Sequence, residues 1–271
     1  MRYLAQFVIG MLVLVLFVSS GLAGPIPESQ PELTTAKTVA VKYYLSLPQG
    51  WTATKTWPIL VTIDGSGHGF LGNCQNFVKA RGGLPFIIVT PCVTSNGNDP
   101  GELRAVLAIV KEVQEDKQGQ SKFFVTGFSA GGHMTWQIIL MHPELLAGAA
   151  PAAGNFRSRG IADVSNAKER VQLPIHGFQG DKDGFIVPLN QQWNDAEALA
   201  RQHGYKDISR TMVPGAGHQT FAPQVVNFFS TLLPSPDAPA GAGASQQQNT
   251  QPGRGPASRP SSAPAPVSIS R

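Results

Sequence analysis

A chain of 271 residues is long enough for one α/β domain of ordinary size once its two ends are set aside. With 42% hydrophobic and only 14% charged residues, and with 29 Gly and 22 Pro, it describes a soluble protein with a sparsely charged surface and many loops. The formal charge is +4 and no Lys/Arg cluster is interleaved with aromatics, which argues against a nucleic-acid partner.

The N-terminus has the order of a secretory leader. Met1-Arg2-Tyr3 supplies a positive start, residues 7–18 an apolar segment, and Gly21 and Ala23 a small-x-small site with cleavage before Gly24. The apolar run is shorter than a comfortable membrane span, so residues 1–23 are expected as a signal peptide rather than an anchor. The mature protein is then secreted or periplasmic, with no stable membrane association. Cys74 and Cys92 are the two cysteines, and in an exported chain they are expected as a disulfide, stabilising by about 3 kcal/mol through loop closure.

Residues 24–38 carry three prolines and read as an extended lead-in. Residues 39–47 (VAVKYYLSL) alternate enough for an edge or early strand and close at Pro48-Gln49-Gly50. The apolar run at residues 58–63 (PILVTI) is of buried-strand type and exits into Asp64-Gly65-Ser66-Gly67-His68-Gly69, a loop whose backbone N–H groups suit a ligand. A short helix over residues 70–81 precedes a second buried strand at 84–90 (LPFIIVT). Apolar residues at 103, 106, 107, 109, 110 and 113 then recur at helical spacing.

Residues 122–126 (KFFVT) read as a strand and residues 133–142 (HMTWQIILMH) as a helix, and between them stands Gly127-Phe128-Ser129-Ala130-Gly131-Gly132. Strand, sharp turn and helix meeting at one serine is the context of a nucleophile elbow. Glycines on both sides let strand and helix approach while Ser129 Oγ is lifted clear. Further strands are expected at 145–154, 173–179 and 208–213, and helices at 188–203 and 221–233. Residues 155–171 are too few for a large lid. Strands alternating with helices imply right-handed crossovers, a mainly parallel sheet and helices on both faces. Ser129, the Asp181/Asp183 turn, His218 and the Gly65 loop then fall beyond strand carboxyl ends, where such sheets bind ligands. Residues 234–271, rich in Pro, Ala, Ser, Gln and Gly, bury too little to offset ordering and are expected as a disordered tail. Its role is that of a solvated spacer or a contact to the cell surface.

A serine hydroxyl becomes nucleophilic when a histidine takes its proton, and the histidine works best when a carboxylate fixes its tautomer. The chain offers Ser129, then Asp181 or Asp183, then His218. On these residues, with Pro174, Gly180 and Asp183 in fixed spacing and Gly215-Ala216-Gly217-His218 of Gly-x-Gly-His type, residues 39–233 resemble an α/β-hydrolase. Within that superfamily they are most similar to secreted esterases of the polyhydroxyalkanoate depolymerase-like and feruloyl esterase-like group. The resemblance implies Ser129 as nucleophile, Asp183 rather than Asp181 as orienting acid and His218 as base. It also implies an oxyanion hole from Ala130 together with Gly65 or Ser66, and neither metal nor organic cofactor. Two features depart from the family: Asp64-Gly65 stands where His-Gly is usual, and Val187-Pro188 comes one residue late. An appended polymer-binding domain is lacking, which favours small or oligomeric esters over a solid polymer. Peptidase activity on the same scaffold, or a surface binding protein with a relict triad, are the rival readings. Beside the site, His68 is a candidate substrate contact. Phe70, Trp136 and Phe185 are candidates for pocket or core, and His133 and His176 are expected to pack.

Overall fold

The computed structural model describes residues 29–161 and 163–234. The expected leader and all but the first residue of the expected tail lie outside them. The strands are β1 (Glu32–Thr35), β2 (Lys42–Ser46), β3 (Ile59–Ile63), β4 (Ile87–Pro91), β5 (Phe123–Phe128), β6 (Leu146–Ala152), β7 (Ile175–Gly180) and β8 (Ile208–Val213). The helices are α1 (Phe70–Arg81), α2 (Pro100–Asp116), α3 (Gly131–Met141), α4 (Ile186–Gln202) and α5 (Ala222–Ser230). The strands form one sheet in the order β1-β2-β4-β3-β5-β6-β7-β8. β1 pairs antiparallel with β2 and β2 antiparallel with β4; from β4 to β8 every pairing is parallel. The sequence missed β1. Its four residues are mostly exposed and carry no apolar alternation, so only pairing to β2 makes them a strand.

Period-2 alternation sorts the strand residues into two cores. Ile59, Val61 and Ile63 of β3, with Phe123 and Val125 of β5, face α2, α3 and α4; Leu60 and Phe124 turn to the other side, against α1 and α5. α2 shows why a sequence of this kind becomes a helix here. Asp99 accepts a hydrogen bond from Gly101 N–H at its start, Pro100 occupies the first turn, and Leu103, Val106, Ile109, Val110 and Val113 all lie on the buried face. α3 is buried on all sides except its last residue, and Trp136 in its middle is fully enclosed. Burying a side chain of that size removes it from water at a gain of about 3 kcal/mol. Trp136 is therefore core. α4 begins two residues before the expected start: Pro188 sits inside its first turn, where a missing N–H costs no hydrogen bond.

The disulfide expected between Cys74 and Cys92 is not formed, and both are free thiols. Cys74 sits on the buried side of α1 in the core with Phe77 and Ile88. Its thiol is hydrogen-bonded to Thr90, and burial pushes its pKa up to about 11. It behaves as a small packed hydrophobe with one weak polar contact.

The turn from β5 into α3 is packed too closely for side chains at three of its glycines. A Cβ placed on Gly127 would stand 2.2 Å from Thr135 Oγ1, and one on Gly131 2.4 Å from the Asp64 carbonyl. A Cβ on Gly132 would stand 2.3 Å from Gly154 Cα. The last two clashes are with backbone, which cannot swing aside. Gly132→Ala is expected to cost at least about 2 kcal/mol, lowering Tm by about 5 °C or more, whereas Gly67→Ala, which meets nothing within 4 Å, leaves Tm unchanged. Equal melting temperatures for the two variants would show that the elbow is not packed as described.

His133, one residue into the buried face of α3, is 3% exposed. Burial, assisted by the Arg157 charge, pushes its pKa down to about 4. The unfolded chain takes up this proton near pH 6.5 while the native state refuses it until about pH 4, so stability falls as pH drops through that window, by at most about 1.4 kcal/mol per unit. Urea unfolding at pH 7 and pH 4.5 is expected to show a larger loss for the natural protein than for His133→Gln; parallel losses would contradict the burial argument.

Candidate active site

Because β3, β5, β7 and β8 run parallel, their carboxyl-end loops share one rim, and the residues singled out in the sequence lie there. β5 stands between β3 and β6. Ser129 follows directly, with φ +51, a left-handed conformation costly for a residue with a Cβ. The backbone around it is tied down on three sides. Ser129 N–H donates to the Ala152 carbonyl at 3.2 Å, and the Ser129 carbonyl accepts from Gly132 N–H at 2.9 Å and from Asn155 N–H at 2.8 Å. A strained turn persists when its surroundings determine it in this way. Ala130 is the N-terminal cap of α3, so its N–H lies at the positive end of that helix. From the other side comes the loop after β3: a Cβ on Gly65 would stand 3.1 Å from Ser129 Cβ, and Ser66 and Ala130 line one common cavity.

The two candidate carboxylates have different tasks. Asp183 is 2% exposed, and its Oδ2 accepts from His218 Nδ1–H at 2.7 Å and from Gln179 Nε2 at 3.0 Å, while Oδ1 accepts from Phe185 N–H at 2.8 Å. Asp181 accepts instead from Gly215 N–H at 2.7 Å and so holds the loop that carries His218. That loop is laid onto β7 by a second contact, Lys182 N–H to the Ala216 carbonyl at 2.9 Å, and a Cβ on Gly180 would stand 2.2 Å from that carbonyl. The ring of His218 leans on Phe128 with centroids 4.7 Å apart and receives Phe185 edge-on at 5.2 Å. With Nδ1 committed to Asp183, the neutral imidazole carries its lone pair on Nε2. Among the described residues no hydrogen bond joins Ser129 Oγ to His218, whose ring is held against Phe128, the residue before the serine.

Two clefts flank the elbow, one lined by Phe128 and the other by Ala130. One, of about 690 Å³, is lined by Phe128, His218 and the segment from Gln219 to Gln224, with Asn76, Lys79 and Ala80 of α1 opposite. The other, of about 250 Å³, lies on the Ala130 side and is bounded by Ser66, His68, Asn96, His133, Asn155 and Arg157 among others. His68 reaches it from a φ of +51, with Nε2 3.3 Å from the Thr94 carbonyl and its ring stacked on Phe70 at 5.6 Å. Phe70 thus touches the cavity wall through His68. Phe185 is 59% exposed at the rim, a large apolar surface beside His218. His176 has both ring nitrogens bonded, to Ser209 and Thr211 hydroxyls at 2.8 Å each, away from the rim. The sequence reading missed Gln179, Asn96, Asn155 and Arg157. Asn96 precedes Gly97 in a turn signal, but nothing in spacing or pattern marks Asn96, Asn155 and Arg157 as lining a cavity with Ala130, or Gln179 as a partner of Asp183.

The model of the dienelactone hydrolase family matches residues 94–230, half of the chain, and includes the elbow, Asp183 and His218. No functionally curated protein sequence matches the chain. Among solved structures, a thermostable esterase is 19% identical with a TM-score of 0.57 over 74% of this chain, which spans 61% of that structure's length. The substrate-bound fluorophosphonate-binding serine hydrolase F of Staphylococcus aureus is 14% identical, with a TM-score of 0.60 over 77% of this chain and 99% of that one. The feruloyl esterase module of Clostridium thermocellum, complexed with sinapinate, is 16% identical with a TM-score of 0.54 over 74% and 87% of the two chains. At these identities the structures speak for the fold, and the family match speaks for the chemistry class. With the eight-stranded sheet, the strand–serine–helix turn and the family match together, the chain is a hydrolase of the α/β-hydrolase superfamily and belongs to the dienelactone hydrolase family.

Proposed function

We propose that this protein is an exported serine esterase that cleaves carboxylic esters through an acyl-enzyme. The observation that carries the proposal is the buried Asp183–His218 hydrogen bond of 2.7 Å, on the same rim as a serine held at φ +51. Ser129 Oγ attacks the ester carbonyl as His218 Nε2 takes its proton. The carbonyl electrons move onto oxygen, and the oxyanion is met by Ala130 N–H at the head of α3 and by the N–H of Gly65 or Ser66 from the loop beside it. The tetrahedral species collapses, the C–O bond to the alcohol breaks, and His218 returns the proton to the leaving oxygen. Water, deprotonated by the same nitrogen, then attacks the acyl-enzyme and frees Ser129. Asp183 keeps the imidazole in the tautomer with Nε2 free and stabilises the imidazolium that forms. Its other bonds, from Gln179 and Phe185 N–H, fix the carboxylate so that none of this orientation is left to the moment of reaction.

A rim that no long segment of the described residues covers suits esters of small or oligomeric compounds. The leader over residues 1–23 directs the protein to the periplasm or outside the cell. Among the described residues no helix is long and apolar enough to cross a membrane.

With p-nitrophenyl acetate, Ser129→Ala is expected to lower kcat by about 10⁴-fold or more, and Asp183→Asn by about 10³- to 10⁴-fold, with unchanged melting of the serine variant. Asp181→Asn is expected to act far more weakly, through the loop it holds. Turnover undiminished in Ser129→Ala would refute the assignment, and cleavage of peptide anilides in preference to esters would move it to a peptidase. N-terminal sequencing of the mature protein from the culture medium or periplasm is expected to begin at Gly24; a chain retained in the cytoplasm with Met1 intact would remove export.

A further inference from the structure

The loop between β3 and α1 leaves the strand at Asp64 and reaches the helix at Gly69, and the side chain of Asp64 has no part in the reaction as described. Asp64 is 7% exposed, yet among the described residues nothing donates a hydrogen bond to its carboxylate and no cation pairs with it. A carboxylate taken this far out of water costs free energy unless its surroundings compensate the charge. The head of α1 is placed to do so. A Cβ on Gly69, the N-terminal cap of α1, would stand 3.7 Å from Asp64 Oδ2. That helix has no side-chain cap and no acidic residue in its first turn, so its leading N–H groups have no acceptor of their own. An unpaired carboxylate and an uncapped helix start thus stand side by side, and the partial positive charge of the helix end favours the carboxylate. Asn73 of α1 is committed elsewhere, its Nδ2 donating to the Thr62 carbonyl at 3.3 Å.

This contact closes the loop at its base. Within the loop, His68 N–H donates to the Gly65 carbonyl at 3.2 Å and folds residues 65–68 into a turn. On the side of α3, a Cβ on Gly131 would meet the Asp64 carbonyl at 2.4 Å, and a Cβ on Gly65 would stand 3.1 Å from Ser129 Cβ and 3.3 Å from the Phe128 ring. Asp64 therefore rests on two helices, its carbonyl against the start of α3 and its carboxylate beside the start of α1. The backbone N–H groups of Gly65 and Ser66 follow directly from it. At the tip, a Cβ on Gly67 would meet nothing within 4 Å, so it is the base of the loop, not its tip, that packing holds.

Resting on the esterase reading, we propose that Asp64 is a positioning residue for the oxyanion hole: its carboxylate, held at the head of α1, fixes the loop that presents the N–H of Gly65 or Ser66 to the carbonyl oxygen. It acts through the backbone that follows it, not on the substrate. Oxyanion donors work when they are in place before the charge develops, and a displacement of about 1 Å costs about 10²-fold in rate. The sign of the effect separates this role from plain electrostatics. A negative charge one residue before the loop by itself opposes the oxyanion, so removing it would speed the reaction. If the charge holds the loop, removing it slows the reaction.

The test compares the full-length natural protein with Asp64→Asn, which keeps the shape and removes the charge, and with Asp64→Ala. Two quantities are measured: hydrolysis of p-nitrophenyl acetate, and inhibition by trifluoroacetone, which adds to the serine and places an oxyanion in the same hole. Both variants are expected to lose about 10- to 100-fold in kcat with KM within about twofold of the natural value. The trifluoroacetone Ki is expected to rise by the factor by which kcat/KM falls, a change that a residue serving stability alone would not produce in folded protein. Thermal melting checks that the variants fold. An unchanged or raised kcat in Asp64→Asn overturns the proposal, as does a loss carried wholly by KM, a Ki unmoved while kcat falls, or failure of both variants to fold. Ser129→Ala separates the two levels. If Ser129-dependent turnover is present and the Asp64 variants equal the natural protein, the positioning inference alone fails; if it is absent, both fall.

Discussion

The backbone of α3 enters the sheet closer than any side chain would permit, and the active rim is built on that approach. Gly131 lies where a Cβ would meet the Asp64 and Ile63 carbonyls at 2.4 and 2.7 Å, and Gly132 lies against Gly154. These contacts press the exit of β3 and the exit of β6 onto the turn between β5 and α3. One consequence is the φ of +51 at Ser129, which the flanking strands stabilise by hydrogen bonds from Asn155 and to Ala152. Another is that the Gly65 loop stands at the serine without needing a residue of its own to reach there. Position follows from packing, so the chemistry inherits the rigidity of the core.

The same economy appears on the other side of the rim. Asp181 and Asp183 are two residues apart in the β7 exit, yet one binds the backbone of the β8 exit and the other binds the histidine that this exit carries. The first sets where the His218 loop lies and the second sets which ring nitrogen faces the reaction. Phe128 and Phe185 then bracket the imidazole and restrict its tilt. Past this point the two clefts diverge, the one beside His218 opening against α1 and α5 and the one beside Ala130 closed by polar side chains.

Much of this is written locally in the chain. Runs such as PILVTI and LPFIIVT announce the buried strands β3 and β4, although β4 begins only at Ile87, and the glycines around Ser129 announce a close approach that only one kind of turn requires. β1 was not legible, since its strand character comes from pairing with β2 rather than from its own side chains. The disulfide was misread because cysteine count and compartment say nothing about direction, and the Cys74 thiol is committed to Thr90 inside the core. Asn96, Asn155 and Arg157 come together from two loops of irregular structure, after β4 and after β6, where no periodicity exists to signal a shared wall. Order and spacing singled out Ser129, Asp183 and His218, which the fold brings to one rim, whereas the polar wall beside Ala130 required the fold.

The activated serine is the centre of the functional reading, and covalent capture tests it without any choice of substrate. The folded protein, treated with a fluorophosphonate probe and then mapped by peptide mass spectrometry, is expected to carry one adduct on Ser129, and none after heat denaturation or in Asp183→Asn on the same timescale. An unlabelled native protein, or an adduct on another residue with Ser129 unmodified, would contradict it.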